Sequence, residues 1–397
     1  MAPQFARVSR LARGTQRRRF GSTTLSGPQA GQLELSPRSS SLLPLLQTIN
    51  NVEIPSEPSS NTDPRRKIHT VETRGFVHHD LFVPFFLQYP AASALPLGLL
   101  RRSVVAAFVA EDLACRNQDQ AIHWYLHQKD TLSPISANKI LSISFVPNSA
   151  NVSKASRKLR ELLLSWRKRG MFSEILRGWS EEKCPVYLPD GIQRPNQSNG
   201  LALTVERAAL PLFAFPNFTA FVIGYIKDNR TQETRLWVPR RSLTKRTFPG
   251  MLDVTAGGCM TVGESPVRTI IREAAEEASL PSSYVASHLV PANRIAFSHQ
   301  NPSGWLLPGV FHCFDLKLPS DGSIEPKTNE ADGEVSHFEL LTPQECLEKL
   351  VAKEFKPSSA LAILDFLIRH GHFTRENDPH YDLIVAELQR SVPVPMP

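Results

Sequence analysis

The sequence predicts an α/β protein, a mixed sheet sandwiched between helices and preceded by a mainly helical α+β region. Two observations carry this. From residue 67 to residue 200 the clearest periodicity is helical, whereas from 201 to 390 short β-branched and aromatic runs alternate with capped amphipathic helices. The length of 397 residues exceeds what one ordinary compact unit needs and suffices for two cores.

Residues 1–33 carry Arg7, Arg10, Arg13, Arg17, Arg18 and Arg19 and no acidic side chain. Setting these six arginines aside lowers the formal net charge from +7 to +1, so the remainder is close to neutral. A nucleic-acid binder needs its cations on the folded surface, and this distribution argues against one. An Arg-rich, acid-free start with Phe5, Val8, Leu11 and Phe20 interspersed has the composition of a mitochondrial transit peptide. The alternative is a disordered basic tail on a cytoplasmic protein. No run approaches the ~18–20 apolar residues of a membrane span, so no membrane partner is expected. Five cysteines without a CxxC pair suggest neither a zinc ribbon nor a disulfide framework.

Residues 34–66 are rich in Ser, Pro, Gln and Asn and read as a disordered linker with one apolar patch at 42–46. In the 67–200 region, helices are expected over 99–115, over 153–169, where Leu159, Leu162, Leu163 and Trp166 recur at helical spacing, and briefly over 172–179. The turn-rich stretch 191–200 marks a break. Strands then follow at 203–205, 218–226, 235–239, 310–316 and 334–341. Ser265-Pro266 and Thr342-Pro343-Gln344-Glu345 are helix starts, and a last apolar helix over 359–370 stops at Gly371. Residues 297–305 suggest a further substrate loop.

The chemistry sits in residues 258–280, GCMTVGESPVRTIIREAAEEASL. At helical spacing Glu273, Glu276 and Glu277 share one face, and three carboxylates there repel one another unless a cation lies against them. A hard divalent ion with oxygen ligands suits such a set, and Mg2+ keeps sites for water and substrate phosphate; Mn2+ is the alternative. Arg272 is placed to fix the preceding loop through a carboxylate such as Glu264, while Ile270, Ile271 and Ala274 face the core. Gly257 and Gly258 permit a backbone bend that aims a carbonyl at the metal, where a Cβ would obstruct.

This segment resembles the Nudix box: glycine, five residues, glutamate, seven residues, then R-E-U-x-E-E-x-G-U with U aliphatic. Every charged position is present; Ala274 is small for its site, and Ser279 replaces the last glycine, which opens the question of how the helix ends. The resemblance implies a Nudix αβα sandwich that hydrolyses a small-molecule diphosphate. It implies Glu273, Glu276 and Glu277 as metal ligands and Arg272 as part of the catalytic set. By the resemblance the base is either a box glutamate or a glutamate on a later loop; the acidic loop 329–334 offers Glu330 and Glu334, of which Glu334 is favoured because it opens a strand.

A longer resemblance covers most of residues 80–390. Its signature is Trp237-Val238-Pro239-Arg240-Arg241-Ser242, Lys245, Phe248-Pro249-Gly250-Met251-Leu252-Asp253 and Ala256-Gly257-Gly258. It is similar to the Nudix proteins related to the N-terminal part of fungal thiamine pyrophosphokinase, and implies a substrate such as thiamine diphosphate or its oxidised oxo and oxy forms. Arg240, Arg241 and Lys245 are candidate diphosphate partners, Phe248 or Trp237 candidates to stack on a ring, and Gly258 lies where substrate and metal would meet. Other readings are a nucleotide-sugar, dinucleotide or coenzyme A pyrophosphatase, and a non-catalytic Nudix binding module. Monomer and homodimer are equally compatible with the sequence.

Overall fold

The computed structural model describes residues 41–53, 72–73, 82–88, 95–128, 134–147, 151–189, 200–392 and 395. The transit-peptide reading of 1–33 and the linker reading of 34–40 and 54–66 lie outside these residues, as does most of the break at 191–200.

The first half contains helix α1 (Leu43–Ile49), strands β1 (Val52–Glu53), β2 (Glu72–Thr73), β3 (Val83–Phe86) and β4 (Gly98–Leu100), and helix α2 (Arg102–Asn117). Strands β5 (Trp124–Gln128) and β6 (Ile140–Phe145), helices α3 (Val152–Lys168) and α4 (Ser173–Leu176), strands β7 (Lys183–Tyr187) and β8 (Leu201–Glu206) and helix α5 (Leu210–Phe213) follow. Strands β3 to β6 form a sheet in the order β4-β3-β6-β5, and β7 pairs antiparallel with β8. The hairpin spans residue 200, and the apolar core of this half continues through Leu212, Phe213 and Phe215. That core is aromatic: Phe85 contacts Phe108, Phe145 and Phe213, and Phe108 meets Trp166 edge-on at 5.4 Å. The leucine and tryptophan positions of α3 are buried there, as their 3.6-residue spacing requires.

The second half runs β9 (Asn217–Lys227), β10 (Thr234–Arg241), β11 (Ala256–Cys259), α6 (Pro266–Ala278), α7 (Ser282–His288), β12 (Leu289–Gln300), β13 (Leu306–Lys317), β14 (Val335–Leu341), α8 (Pro343–Val351), α9 (Pro357–Arg369) and α10 (Tyr381–Leu388). The sheet order is β12-β13-β9-β10-β14, with β11 beside β9. Only β9 with β13 is parallel among these pairs, so the sheet is mixed as expected. Its faces divide by residue parity along β9: Ala220 and Val222 pack beneath α6, and Phe221 and Ile223 pack beneath α8 and α9. The result is a helix–sheet–helix sandwich. The capping box at Thr342 is closed from both sides, and Gly371 follows α9 with a left-handed φ of 72°.

Two segments depart from expectation. Residues 42–49, assigned by composition to the linker, fold as α1, whose Leu45, Leu46 and Ile49 are buried against the α9 and α10 side of the core. A short amphipathic patch gains order only when tertiary contacts cover it, which composition cannot register. Residues 297–305 are only in part a loop: 297–300 end β12, 301–304 make a tight turn, and Trp305 is buried in the aromatic core of the first half, under the Arg101 guanidinium at 4.7 Å.

Candidate active site

Helix α6 starts where Ser265 caps it by accepting the Arg268 amide, with Pro266 in the first turn. Ile270 and Ala274 are fully buried against the sheet, which turns Glu273 and Glu277 along β11. The helix ends on Ser279 at φ 52° and ψ 27°, and the Leu280 amide returns to the Ala274 carbonyl. This is the left-handed turn a glycine would take, made by serine at a steric cost of about 1 kcal/mol.

Glu273 explains Gly258. A Cβ on Gly258 would lie 1.8 Å from Glu273 Oε1, so the carboxylate occupies the space a side chain would need. At Gly257 a Cβ would come within 2.4 Å of the Phe221 ring, while its amide donates to Glu277 Oε2 at 2.9 Å. Neither glycine uses a left-handed φ. Close approach, rather than the backbone bend expected from the sequence, is what requires them.

Arg272 donates from Nε and Nη2 to both oxygens of Glu264, at 2.9 and 3.2 Å, as anticipated. Its Nη1 also reaches Glu273 at 2.8 Å and Glu276 at 3.0 Å, so it does not turn off the acidic face. The Arg272 hydrogen bonds hold the Glu264 carboxyl down at about 2 despite its burial. Glu273 is pushed up to about 6 by burial, against the pull of Arg272 and with the charges of Glu276 and Glu334 adding to the rise. Burial, then Glu273, raises Glu277 well above the usual carboxylate range, with Asp253 and Glu334 contributing.

Glu334 closes this set. Its carboxylate is ion-paired to Lys245 and hydrogen-bonded to Glu277. Burial alone would raise Glu334, but the Lys245 ammonium outweighs it and holds the group below the ordinary carboxylate value, while burial and the neighbouring carboxylates push Glu277 the other way. The other acidic candidate, Glu330, is exposed. Loop 329–333 is tied to α6 by Asn329 Nδ2, which donates to the Glu276 carbonyl at 2.8 Å.

The structure therefore gathers Glu273, Glu277 and Glu334, with Asp253 behind them, and leaves Glu276 half-exposed on Arg272. Among the described residues no three acidic, histidine or cysteine side chains converge tightly enough to form a finished metal centre. The donor chemistry nevertheless fits a hard divalent cation: buried carboxylates that raise one another's pKa are relieved by positive charge and offer oxygen only.

The substrate candidates divide differently. Arg241 is buried, with Nη1 on Asp253 at 2.7 Å, Nε on the Phe248 carbonyl and Nη2 on the Thr247 carbonyl. Arg240 lies on the opposite face, held by Glu339 at 2.9 Å and the Gly250 carbonyl at 3.0 Å. Expected together as diphosphate partners, the two residues lie on opposite sides, because alternate strand positions point apart, and each guanidinium is engaged within the protein. Lys245 reaches the acidic set through Glu334. Trp237 packs in the α6-side core, whereas Phe248 is 44% exposed in a left-handed backbone at φ 52°. Sequence reasoning missed Asp253 as a hub: it also accepts from Lys356 at 3.2 Å and from Ser359, residues whose distance along the chain leaves no local signal.

The NUDIX domain profile matches residues 218–361, from the start of β9 into α9. An uncharacterized protein of Saccharomyces cerevisiae is 34% identical over 55% of this chain and 64% of its own length. Nudix hydrolase 20, chloroplastic, of Arabidopsis thaliana is 32% identical over 53% of this chain and 52% of its own length. The uncharacterized Nudix hydrolase YfcD of Escherichia coli is 32% identical over 34% of this chain and 67% of its own length. The chain thus spans between about half and two thirds of the curated relatives it matches.

Proposed function

This chain belongs to the Nudix hydrolase family, and we propose that it is a magnesium-dependent diphosphatase acting on thiamine diphosphate or its oxidised oxo and oxy forms. The observation that carries the hydrolytic reading is the packing of Glu273 on Gly258, with Glu277 on the Gly257 amide and Glu334 closing over them. Glu273 and Glu277, with Glu276 beside them, would hold the ion. When bound, Mg2+ supplies charge neutralisation at phosphate oxygens and acidifies a water. Glu334, kept ionised by Lys245, accepts the proton of the attacking water, and Arg272 fixes Glu273 in place. The products are a monophosphate ester and phosphate.

The thiamine reading rests on the Trp237 to Gly258 run and on Phe248, an exposed ring that can stack on a heteroaromatic group. Residues 1–33 we read as a mitochondrial import leader, in keeping with the organellar name of the plant relative. A reporter fused to residues 1–40 should enter mitochondria, and a cytosolic signal would restore the basic-tail reading.

A panel of thiamine-type diphosphates, ADP-ribose, a dinucleotide and coenzyme A, assayed with Mg2+, tests specificity. The highest kcat/KM is expected on oxidised thiamine diphosphates; a preference for ADP-ribose would move the protein to the broader pyrophosphatase class. Glu277→Gln should lower kcat by about 10²-fold or more at unchanged circular dichroism, and wild-type activity in that variant would remove the metal-site assignment. Tight binding of a diphosphate with no turnover of any would favour a binding module.

A further inference from the structure

The segment that joins β10 to β11 leaves the sheet at the acidic set: the Ser242 amide donates to the Glu334 carbonyl at 2.8 Å, and Lys245 is ion-paired to the Glu334 carboxylate. On either side of Lys245 in the chain stand two apolar residues that the fold leaves outside, Leu243 at 82% exposed and Phe248 at 44%. Single exposed apolar residues need no explanation. These two are drawn together. Leu243 lies against Gly250, where a Cβ would come within 3.0 Å of Leu243 Cδ2, and Phe248 opens the same turn, its carbonyl accepting the Met251 amide at 3.5 Å.

One buried guanidinium holds this loop. Arg241 donates from Nε to the Phe248 carbonyl at 3.2 Å, from Nη2 to the Thr247 carbonyl at 3.0 Å and from Nη1 to Asp253 at 2.7 Å, and Asp253 is itself fixed by Lys356 and Ser359. The Arg241 amide adds a bond to the Met251 carbonyl at 2.9 Å. Phe248 keeps a left-handed backbone at φ 52°, which a bulky residue ordinarily avoids. Strain of this kind persists only where the surroundings over-determine it, and it collects at ligand clamps. A ring held part in water on a strained backbone contributes little to folding, but it lowers the ordering cost for a ligand that lies on it.

We infer that Arg241 is a positioning residue for substrate recognition, and that the loop it fixes, with Leu243 beside Phe248, is the specificity surface for the non-phosphate part of the diphosphate, a flat heteroaromatic or apolar group. Arg241 acts through the loop, because its donors are engaged on Asp253 and the two carbonyls. Lys245 ties the same loop to Glu334. The inference rests on the diphosphatase reading.

Steady-state kinetics of the full chain with Mg2+ test it on thiamine diphosphate and methyl diphosphate, which share the scissile group and differ in the ring. The wild type should favour thiamine diphosphate in kcat/KM by about tenfold or more. Phe248→Ala and Leu243→Ser, both at exposed positions, should each cut that preference by about threefold or more, with the loss lying in KM. Arg241→Lys keeps a cation for Asp253 but cannot also reach the Thr247 and Phe248 carbonyls, and should cut the preference by about tenfold; a merely structural role would slow both substrates alike. Should Arg241→Lys fail to fold, Pro249→Gly loosens the same loop and should lower the preference in its place. No turnover of either compound by the wild type would overturn the diphosphatase reading and this inference with it. Turnover without preference for the thiamine compound, or a preference unchanged in Leu243→Ser or in the loop variant, would overturn this inference alone.

Discussion

The acidic cluster on α6 and the cluster around Arg241 both hold charge away from water, and they differ in balance. On α6 one guanidinium serves Glu264, Glu273 and Glu276, Lys245 serves Glu334, and Glu277 lies buried beside them without a cation of its own, so negative charge is in surplus. Around Asp253 the account is even or better: Arg241, Lys356 and Ser359 converge on one carboxylate, which stays ionised although buried. A surplus of like charge is tolerated where a ligand is to complete it; a balanced cluster is scaffold. Arg241 reads as a substrate residue in the sequence because its charge is visible there and its partners are not.

Breaking the balanced cluster should have the largest effect. Asp253→Asn leaves Arg241 and Lys356 buried without their counter-charge and should cost about 3–5 kcal/mol, measured by urea denaturation; a loss below about 1 kcal/mol would mean the cluster is not structural. Next comes Gly258→Ala, whose methyl would displace Glu273. Turnover should fall by about 10²-fold, as for a misplacement of about 1 Å in a catalytic group, while the melting temperature changes little. An equal collapse of both would make Gly258 a folding residue instead.

Glu264→Gln probes the balanced end of the α6 cluster. The folded-state pKa of Glu264, about 2, lies below its unfolded value. Its contribution is therefore full above that unfolded value and is lost as pH falls toward 2. Discounted for partial solvent screening, the wild type should exceed the variant by about 2 kcal/mol at pH 7, and the gap should narrow between pH 4.5 and pH 3. A gap independent of pH would refute the ionic origin. The smallest change expected is Ser279→Gly, which relieves the left-handed serine and should raise stability by about 1 kcal/mol without altering kcat.

The α6 site was readable because its parts are neighbours. Glu264, Arg272, Glu273 and Glu277 fall in one loop and one helix, where spacing alone fixes the face each presents. The same local logic found the Ser265 and Thr342 caps. Strand β12 escaped notice because Pro291 and Asn293 interrupt its pattern, and the register shifts between Pro291 and Arg294. Helix α1 escaped because its stability comes from α9 and α10, far along the chain.

By itself the sequence determined the α/β class and the capped α6 that carries Glu273, Glu276 and Glu277, both consequences of short-range geometry. Only the tertiary structure decided that Glu276 turns to Arg272, that Glu334 joins Glu277, and that Arg240 and Arg241 are bound within the protein. These outcomes depend on which distant segments reach a given charge first, and that is settled when the sheet closes rather than by the order of residues along it.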